Sequence, residues 1–213
     1  MIELRKLHQA VLDGDARTAK SVAEEALAAG VEPCRLMHEF LKPTMDEVAR
    51  RFEANECFSP EFLVSARAMK AALELIRPLL IASGAQPAGR VVLGTVKGDM
   101  SDLGKRLVGA MLEAGGFEVV DLGVNVSPEQ FIAAVKEKNA NIVAMSTLFT
   151  YSMPWMETIV DALKETGVRD KVKVLIGGLP VTQKYADEIG ADGYAESAAG
   201  AVATAHHALG VKA

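Results

Sequence analysis

One repeating feature constrains the second half of the chain: short apolar, β-branched runs separated by helical stretches of about a dozen residues. The runs are VVLGTV (91–96), EVVDL (118–122), IVAMS (142–146) and VKVLI (172–176), with Gly193-Tyr194-Ala195 as a short fifth. Strands that are apolar on both sides and alternate with helices call for a parallel sheet with both faces covered, joined by right-handed crossovers. The expected class is α/β, with a Rossmann-like (flavodoxin-like) doubly wound parallel sheet over residues 90–213, closed by a helix from Ala198 to Leu209.

Residues 1–85 follow a different period. Leu4, Leu7, Val11 and Leu12 share one helical face. Asp15 is placed to cap a second helix, with Val22, Ala26 and Leu27 inward, and Gly30 ends it. Glu32 and Pro33 open a third, LMHEFLKPTMDEVARRFEA, in which Pro43 predicts a kink. Ser59-Pro60-Glu61 reads as a fourth start, with Ser59 as cap and FLVSARAMKAALELIRPLL following at helical spacing. Short connections between them predict an N-terminal four-helix bundle, and SGAQPAG (83–89) reads as a linker between the halves.

Composition excludes several classes. A net charge of −5 argues against nucleic acid, because phosphate binding needs clustered Lys and Arg. Two cysteines, Cys34 and Cys57, are too few for a disulfide framework, and neither belongs to a CxxC or Cys/His cluster. The start, MIELRKLHQAVLDGD, is amphipathic rather than apolar, and no stretch approaches the roughly 18 uninterrupted apolar residues of a membrane span. The expectation is a cytoplasmic protein with neither a nucleic-acid nor a membrane partner.

In a sheet of this kind ligands bind at the carboxyl ends of the strands. Three strand-end loops carry small residues: Lys97 to Lys105, Ser146 to Thr150, and Gly177-Gly178-Leu179-Pro180. Each glycine alone is explained by a turn or by close packing, but three small-residue loops in a row leave an open slot over the sheet edge. The first loop has neither GxGxxG nor GxxxxGK[ST], so dinucleotide and P-loop readings are weak.

The segments GTVKGDMSDLGK, STL and IGGLPVTQKYADEIGADGYA, in that order, resemble the cobalamin-binding domain of the corrinoid proteins of methanol, methylamine and aryl-ether methyl transfer and of cobalamin-dependent methionine synthase. LKPTMDEVARRFEANECFSPEFLVSARAMKAAL resembles the helical domain that precedes it in those proteins. The resemblance implies cobalamin held base-off, with its nucleotide tail in the sheet domain and the helical half as a cap over the upper corrin face. The family pattern Asp-x-His-x-x-Gly, Ser-x-Leu, Gly-Gly maps onto Asp99, Gly104, Ser146, Leu148, Gly177 and Gly178. Gly98, Met100, Ser101, Asp102, Leu103 and Thr150 complete the expected cofactor-binding set. Glycines would let backbone approach the tail, the Ser146 and Thr150 hydroxyls would bond it, and the helix opening near Asp102 would offer N–H groups to its phosphate.

One position departs from the pattern. Where the family places the histidine that coordinates cobalt from below, this chain has Ser101, and none of His8, His38, His206 and His207 lies in the loop. No metal ligand from the protein is therefore expected. Either Ser101 holds a water beneath the metal, with Asp99 as acceptor, or the lower face is empty. The resemblance implies a methyl carrier that works with a substrate-specific methyltransferase, a second, methyl-accepting methyltransferase and a reductive activase. The alternatives are a non-catalytic cobalamin carrier or sensor, which Ser101 favours, and a domain that has lost the cofactor. Phe58, Phe62, Met69 and Phe149 are core residues or part of a partner-facing surface.

Overall fold

The structure is a computed structural model that describes residues 4–84 and 86–211. Met1–Glu3 of the amphipathic start, Ala85 of the linker, and Lys212 and Ala213 lie outside the described residues. The chain divides into two compact units, Met1–Gln86 and Pro87–Ala213.

The first unit is helical: α1 (Arg5–Leu12), α2 (Ala16–Ala28), α3 (Pro33–Leu36), a π-helical turn (Met37–Leu41), α4 (Lys42–Glu53) and α5 (Ser59–Ala82). Asp15 caps α2 as expected, accepting from the Thr18 N–H at 3.0 Å and the Thr18 hydroxyl at 2.6 Å. Leu7, Val11, Ala26, Leu36, Leu41, Met45, Phe62, Met69 and Ile76 are fully buried and form the bundle core.

Two local expectations are corrected here. Instead of a simple kink at Pro43, the helix widens into the π turn just before it, where the Lys42 N–H reaches back to Met37 O. Proline has no N–H and crowds the preceding turn, and a wider turn relieves that crowding. The Thr44 hydroxyl then donates to Phe40 O at 2.5 Å. Ser59 is the first helical residue rather than the cap: Phe58 precedes the helix, and the Glu61 carboxylate accepts the Phe58 N–H at 2.6 Å. A charged acceptor three residues on serves the N–H of the residue before the helix, the reverse half of a capping box.

The second unit is the expected sheet. Strands β1 (Arg90–Thr95), β2 (Glu118–Asp121), β3 (Ile142–Ser146), β4 (Lys173–Gly177) and β5 (Gly193–Ala195) form one five-stranded sheet in the order β2-β1-β3-β4-β5, every pair parallel. Helices α6 (Leu103–Ala114), α7 (Pro128–Lys138), α8 (Pro154–Glu165), α9 (Gln183–Ile189) and α10 (Ala198–Leu209) alternate with the strands.

Alternate residues along each strand feed opposite cores. Val91, Leu93, Ile142, Ala144 and Leu175 pack with Leu112 of α6 and Ala205 of α10. Val92, Val143, Met145, Val174 and Ile176 pack with Phe131 of α7, Ile159 and Leu163 of α8, and Ile189 of α9. The order reverses between β1 and β3, which opens a crevice at their carboxyl ends.

Phe131 occupies the space that a side chain on β1 would take. A Cβ at Gly94 would lie 2.7 Å from its ring. Phe131→Ala therefore empties a fully buried site and should cost about 3–5 kcal/mol of unfolding free energy, read from urea denaturation.

Candidate functional site

The β1 loop begins where β1 ends. Val96 bridges to Val126, and Gly98, at φ +85, turns the chain. The Asn125 side chain accepts the Gly98 N–H at 2.8 Å, and the Asn125 N–H donates to Asp99 O at 2.9 Å. These bonds deliver Asp99 into the sheet edge with no exposed surface.

There its carboxylate collects three donors. Oδ1 accepts the Ser101 N–H at 2.8 Å, and Oδ2 accepts the Thr147 hydroxyl at 3.0 Å and the Leu148 N–H at 2.6 Å. Burial pushes the Asp99 carboxyl up. The N–H groups of Leu148 and Ser101 and the hydroxyls of Ser101 and Thr147 outweigh that, and the carboxyl is held below its usual value. The Ser152 hydroxyl backs the network, 2.6 Å from that of Thr147.

Ser101 is held by its backbone from both sides, since its carbonyl accepts the Thr95 hydroxyl at 2.7 Å. Thr95 is fully buried, and its Oγ1 lies 3.1 Å from the Ser146 Oγ. Thr95 and Ser146 are register partners, Ser146 pairs in turn with Gly177, and Gly177 with Ala195. Four of the five strands thus end with one small residue each on the α6–α10 face, directly after the core layer of Leu93, Ala144 and Leu175, while β2 stops at Asp121 opposite Leu93.

Helix α6 opens beside this row. Its N-cap, Asp102, makes no side-chain cap bond and instead pairs with Arg106 at 3.6 Å. A Cβ at Gly104 would meet nothing within 4 Å. Lys105, with its side chain 2% exposed, pairs with Asp121 through contacts of 2.5 and 2.6 Å and ties the first turn of α6 to the end of β2.

The structure brings Gly98, Asp99, Ser101, Ser146, Leu148, Gly177 and Gly178 together at one edge. Met100, Asp102, Leu103 and Gly104 are exposed beside them. Thr150 is exposed at the start of a 3-10 turn and takes no part in the network. At Gly178, φ is +129 and a Cβ would fall 1.8 Å from Thr147 O, so the glycine admits the neighbouring loop. Phe149 stacks on Tyr151 with centroids 5.2 Å apart, and Lys97 lies 4.4 Å above the Trp155 ring.

Thr95, Thr147, Ser152, Lys105 and Ala195 were not anticipated from the sequence. Only Ala195 carries a signal, as the small residue ending a short run like those of Ser146 and Gly177. Of the histidines, His206 is buried, with Nε2 3.2 Å from Gly115 O and its ring against Phe117. Among the described residues no group of three or more His, Cys, Asp or Glu side chains could hold a metal ion, and no helix is long and apolar enough to cross a membrane.

Comparison with known proteins bears on this edge. The B12 binding domain family matches residues 89–203, and a second family, also described as a B12 binding domain, matches residues 3–77. Trimethylamine corrinoid protein 2 of Methanosarcina mazei is 44% identical over 210 residues, 98% of this chain and 96% of its own. The dimethylamine corrinoid protein of Methanosarcina barkeri is 41% identical over 208 residues, 97% of each. Among solved structures, the methanol:cobalamin methyltransferase complex of Methanosarcina barkeri superposes with a TM-score of 0.82 at 30% identity, covering 98% of this chain and 80% of that one. A cobalamin-binding protein from Desulfitobacterium hafniense superposes with a TM-score of 0.75 at 33% identity, covering 98% and 99%.

Two predictions follow from the loop geometry. Because the folded-state value of Asp99 is depressed, its stabilisation is complete above the ordinary carboxylate value of about 4 and is lost as pH falls through the lower folded value. In Asp99→Asn, either orientation of the amide sets an NH2 against a backbone N–H. The variant should lose about 1–3 kcal/mol at pH 7, and urea denaturation at pH 3 should show the gap to wild type narrowing. Gly178→Ala should cost more than about 1 kcal/mol, whereas Gly104→Ala, in a helix with open space around it, should be neutral or gain up to about 1 kcal/mol.

Proposed function

The chain belongs to the B12-binding corrinoid proteins, and from that premise we propose that it carries methyl groups on a bound cobalamin within a methyltransferase system. The observation that carries the reading is the open edge of the sheet. Thr95, Ser146, Gly177 and Ala195 end their strands with small side chains, beside a helix whose first turn has no side-chain cap and a glycine facing open space.

The residues fit the group. A glycine in the first turn of α6 costs roughly 1 kcal/mol relative to alanine, and nothing in the protein packs against it to justify that cost. A bulky ligand lying against the turn does justify it. The uncapped N–H groups there suit a tail phosphate, and the row of small residues leaves room for the tail along the sheet. When bound, cobalamin supplies a cobalt that takes up and gives off a methyl group.

The chain's own residues hold and orient that group. Gly98, Asp99 and Ser101 shape the floor of the loop. Met100, Leu103 and Leu148 present exposed apolar surface for a corrin. Ser101 would lie beneath the cobalt, and a serine hydroxyl is a weak neutral donor for it, so a cobalamin held base-off would have no protein nitrogen below the metal. We read this edge as a cofactor site. Recognition of the methyl donor and of the acceptor then falls to two partner methyltransferases, with a reductive activase to restore the reduced cobalt. Ser101 also favours a second reading, a cobalamin carrier or sensor, which a methylation assay with reduced cobalt separates from the first.

Reconstitution with cobalamin should give the absorption spectrum of a base-off corrinoid, and Gly104→Val, which fills the open turn, should weaken binding in a folded protein. In the Co(II) state, electron paramagnetic resonance should lack nitrogen superhyperfine splitting. Ser101→His should introduce it, because the Asp99 carboxylate is in place to accept from the imidazole and fix its tautomer. Nitrogen splitting in the wild type would overturn the missing-ligand reading.

A further inference from the structure

We propose that the connection after β2, Asp121 to Asn125, is a brace that presets the open loop between Asp99 and Lys105, with Asn125 and Lys105 as the positioning residues at its two ends. The inference rests on the cofactor reading above and names what holds the loop of that same site in shape before anything binds.

The loop needs a brace because little of it is packed. Met100, Asp102, Leu103 and Gly104 are exposed. Yet both ends of this stretch are tied to one segment elsewhere in the chain. At the first end the Gly98 N–H donates to Asn125 Oδ1 at 2.8 Å, and the Asn125 N–H donates to Asp99 O at 2.9 Å. At the second end Lys105 Nζ, on a side chain 2% exposed, donates to the two carboxylate oxygens of Asp121 at 2.6 and 2.5 Å.

The segment that carries both anchors is itself fixed to the sheet. Asp121 closes its turn by accepting the Gly123 N–H at 2.8 Å. The Leu122 N–H donates to Leu93 O at 2.8 Å, the Thr95 N–H to Gly123 O at 3.0 Å, and the Val126 N–H to Thr95 O at 2.9 Å. The separation of the two anchors is therefore set by β1 and β2 and not by the loop they hold.

The residue types suit the task. Asn125 lies at φ +55, a left-handed backbone that glycine, asparagine and aspartate adopt with least strain. Of these three, asparagine and aspartate also bring a side-chain acceptor for the Gly98 N–H. At Lys105 a buried cation is a poor source of stability, because desolvation offsets the attraction of the ion pair. What the pair supplies, and an apolar side chain would not, is a fixed position against Asp121.

Three substitutions separate positioning from stability. Asn125→Gly keeps the backbone conformation and the N–H to Asp99 O, and loses only the acceptor. Asn125→Asp keeps the acceptor. Lys105→Met keeps the bulk and loses the charge, while Asp121, 45% exposed on its side chain, retains water and the Gly123 N–H. Amide hydrogen exchange is followed by NMR on the full-length protein without cofactor, and cobalamin is then titrated in and followed by absorption. The probe is the Ser101 N–H, bound to Asp99 Oδ1 and altered by none of the three substitutions. Asn125→Gly and Lys105→Met should each speed its exchange and weaken cobalamin binding about tenfold, the effect of freeing one backbone residue. Exchange at Val143, fully buried in β3, should not change, and Asn125→Asp should behave as the wild type does. If one loosened variant does not fold, the other carries the test. The inference is overturned, with the cofactor reading intact, by unchanged exchange at Ser101, by acceleration spread equally to Val143, by cobalamin binding that ignores a loosened loop, or by Asn125→Asp as loose as Asn125→Gly. Failure of the wild type to bind cobalamin would overturn the cofactor reading and, with it, the role of the brace.

Discussion

The carboxylate of Asp99 holds the working edge of this protein in place. It is buried and charged, an arrangement that costs several kcal/mol unless donors replace the lost water. The donors come from its own loop and from a loop nearly fifty residues on: the Ser101 N–H, the Thr147 hydroxyl and the Leu148 N–H. Two strand-end loops that would otherwise order independently are thereby fixed to one point. A carboxylate offers about four acceptor positions and three are used by backbone and hydroxyl. The Ser101 hydroxyl also helps to hold the carboxyl down.

The same frame explains why glycines lie where they do. Gly178 is demanded by the Thr147 carbonyl against which it packs, and Gly94 by the Phe131 ring. Gly104 has no such demand. Three glycines that look alike in a sequence therefore divide into two that the packing requires and one whose side chain would meet open space. Adding a methyl group separates them, because strain shows in stability and an occupied slot shows in binding.

Much of the fold was legible because its signals are local. The apolar runs at 91–96, 142–146 and 172–176 are β-branched, short and separated by helical periods, and a parallel sheet is their only economical arrangement. Which residues of a run face which helices was not legible, since strands buried on both sides carry no polar alternation. For the same reason Thr95 and Thr147 were missed. Threonine is a good strand former, and nothing in GTVKGD or STLF distinguishes a hydroxyl that packs from one that donates to a carboxylate 48 residues away. Pro43 signalled a disturbance in its helix, but a π turn and a kink relieve the same clash. At Ser59 the helix starts one residue earlier than a serine cap would place it, with Glu61 accepting the Phe58 N–H.

The open edge has a cost that the frame absorbs. Met100 is 71% exposed and Leu179 84% exposed, on loops that hydrogen bonds prevent from folding these side chains inward. An apolar side chain left in water forgoes about 25 cal/mol for each Å² it could have buried. The rigid network and the exposed surface are two aspects of one arrangement. Because Asp99, Ser101 and Thr95 fix the loops before a ligand arrives, little ordering entropy remains to be lost on binding. Exposed apolar side chains can then contribute their burial to affinity. A site built from softer loops would cover its leucines in the empty state and would have to expose them again to bind.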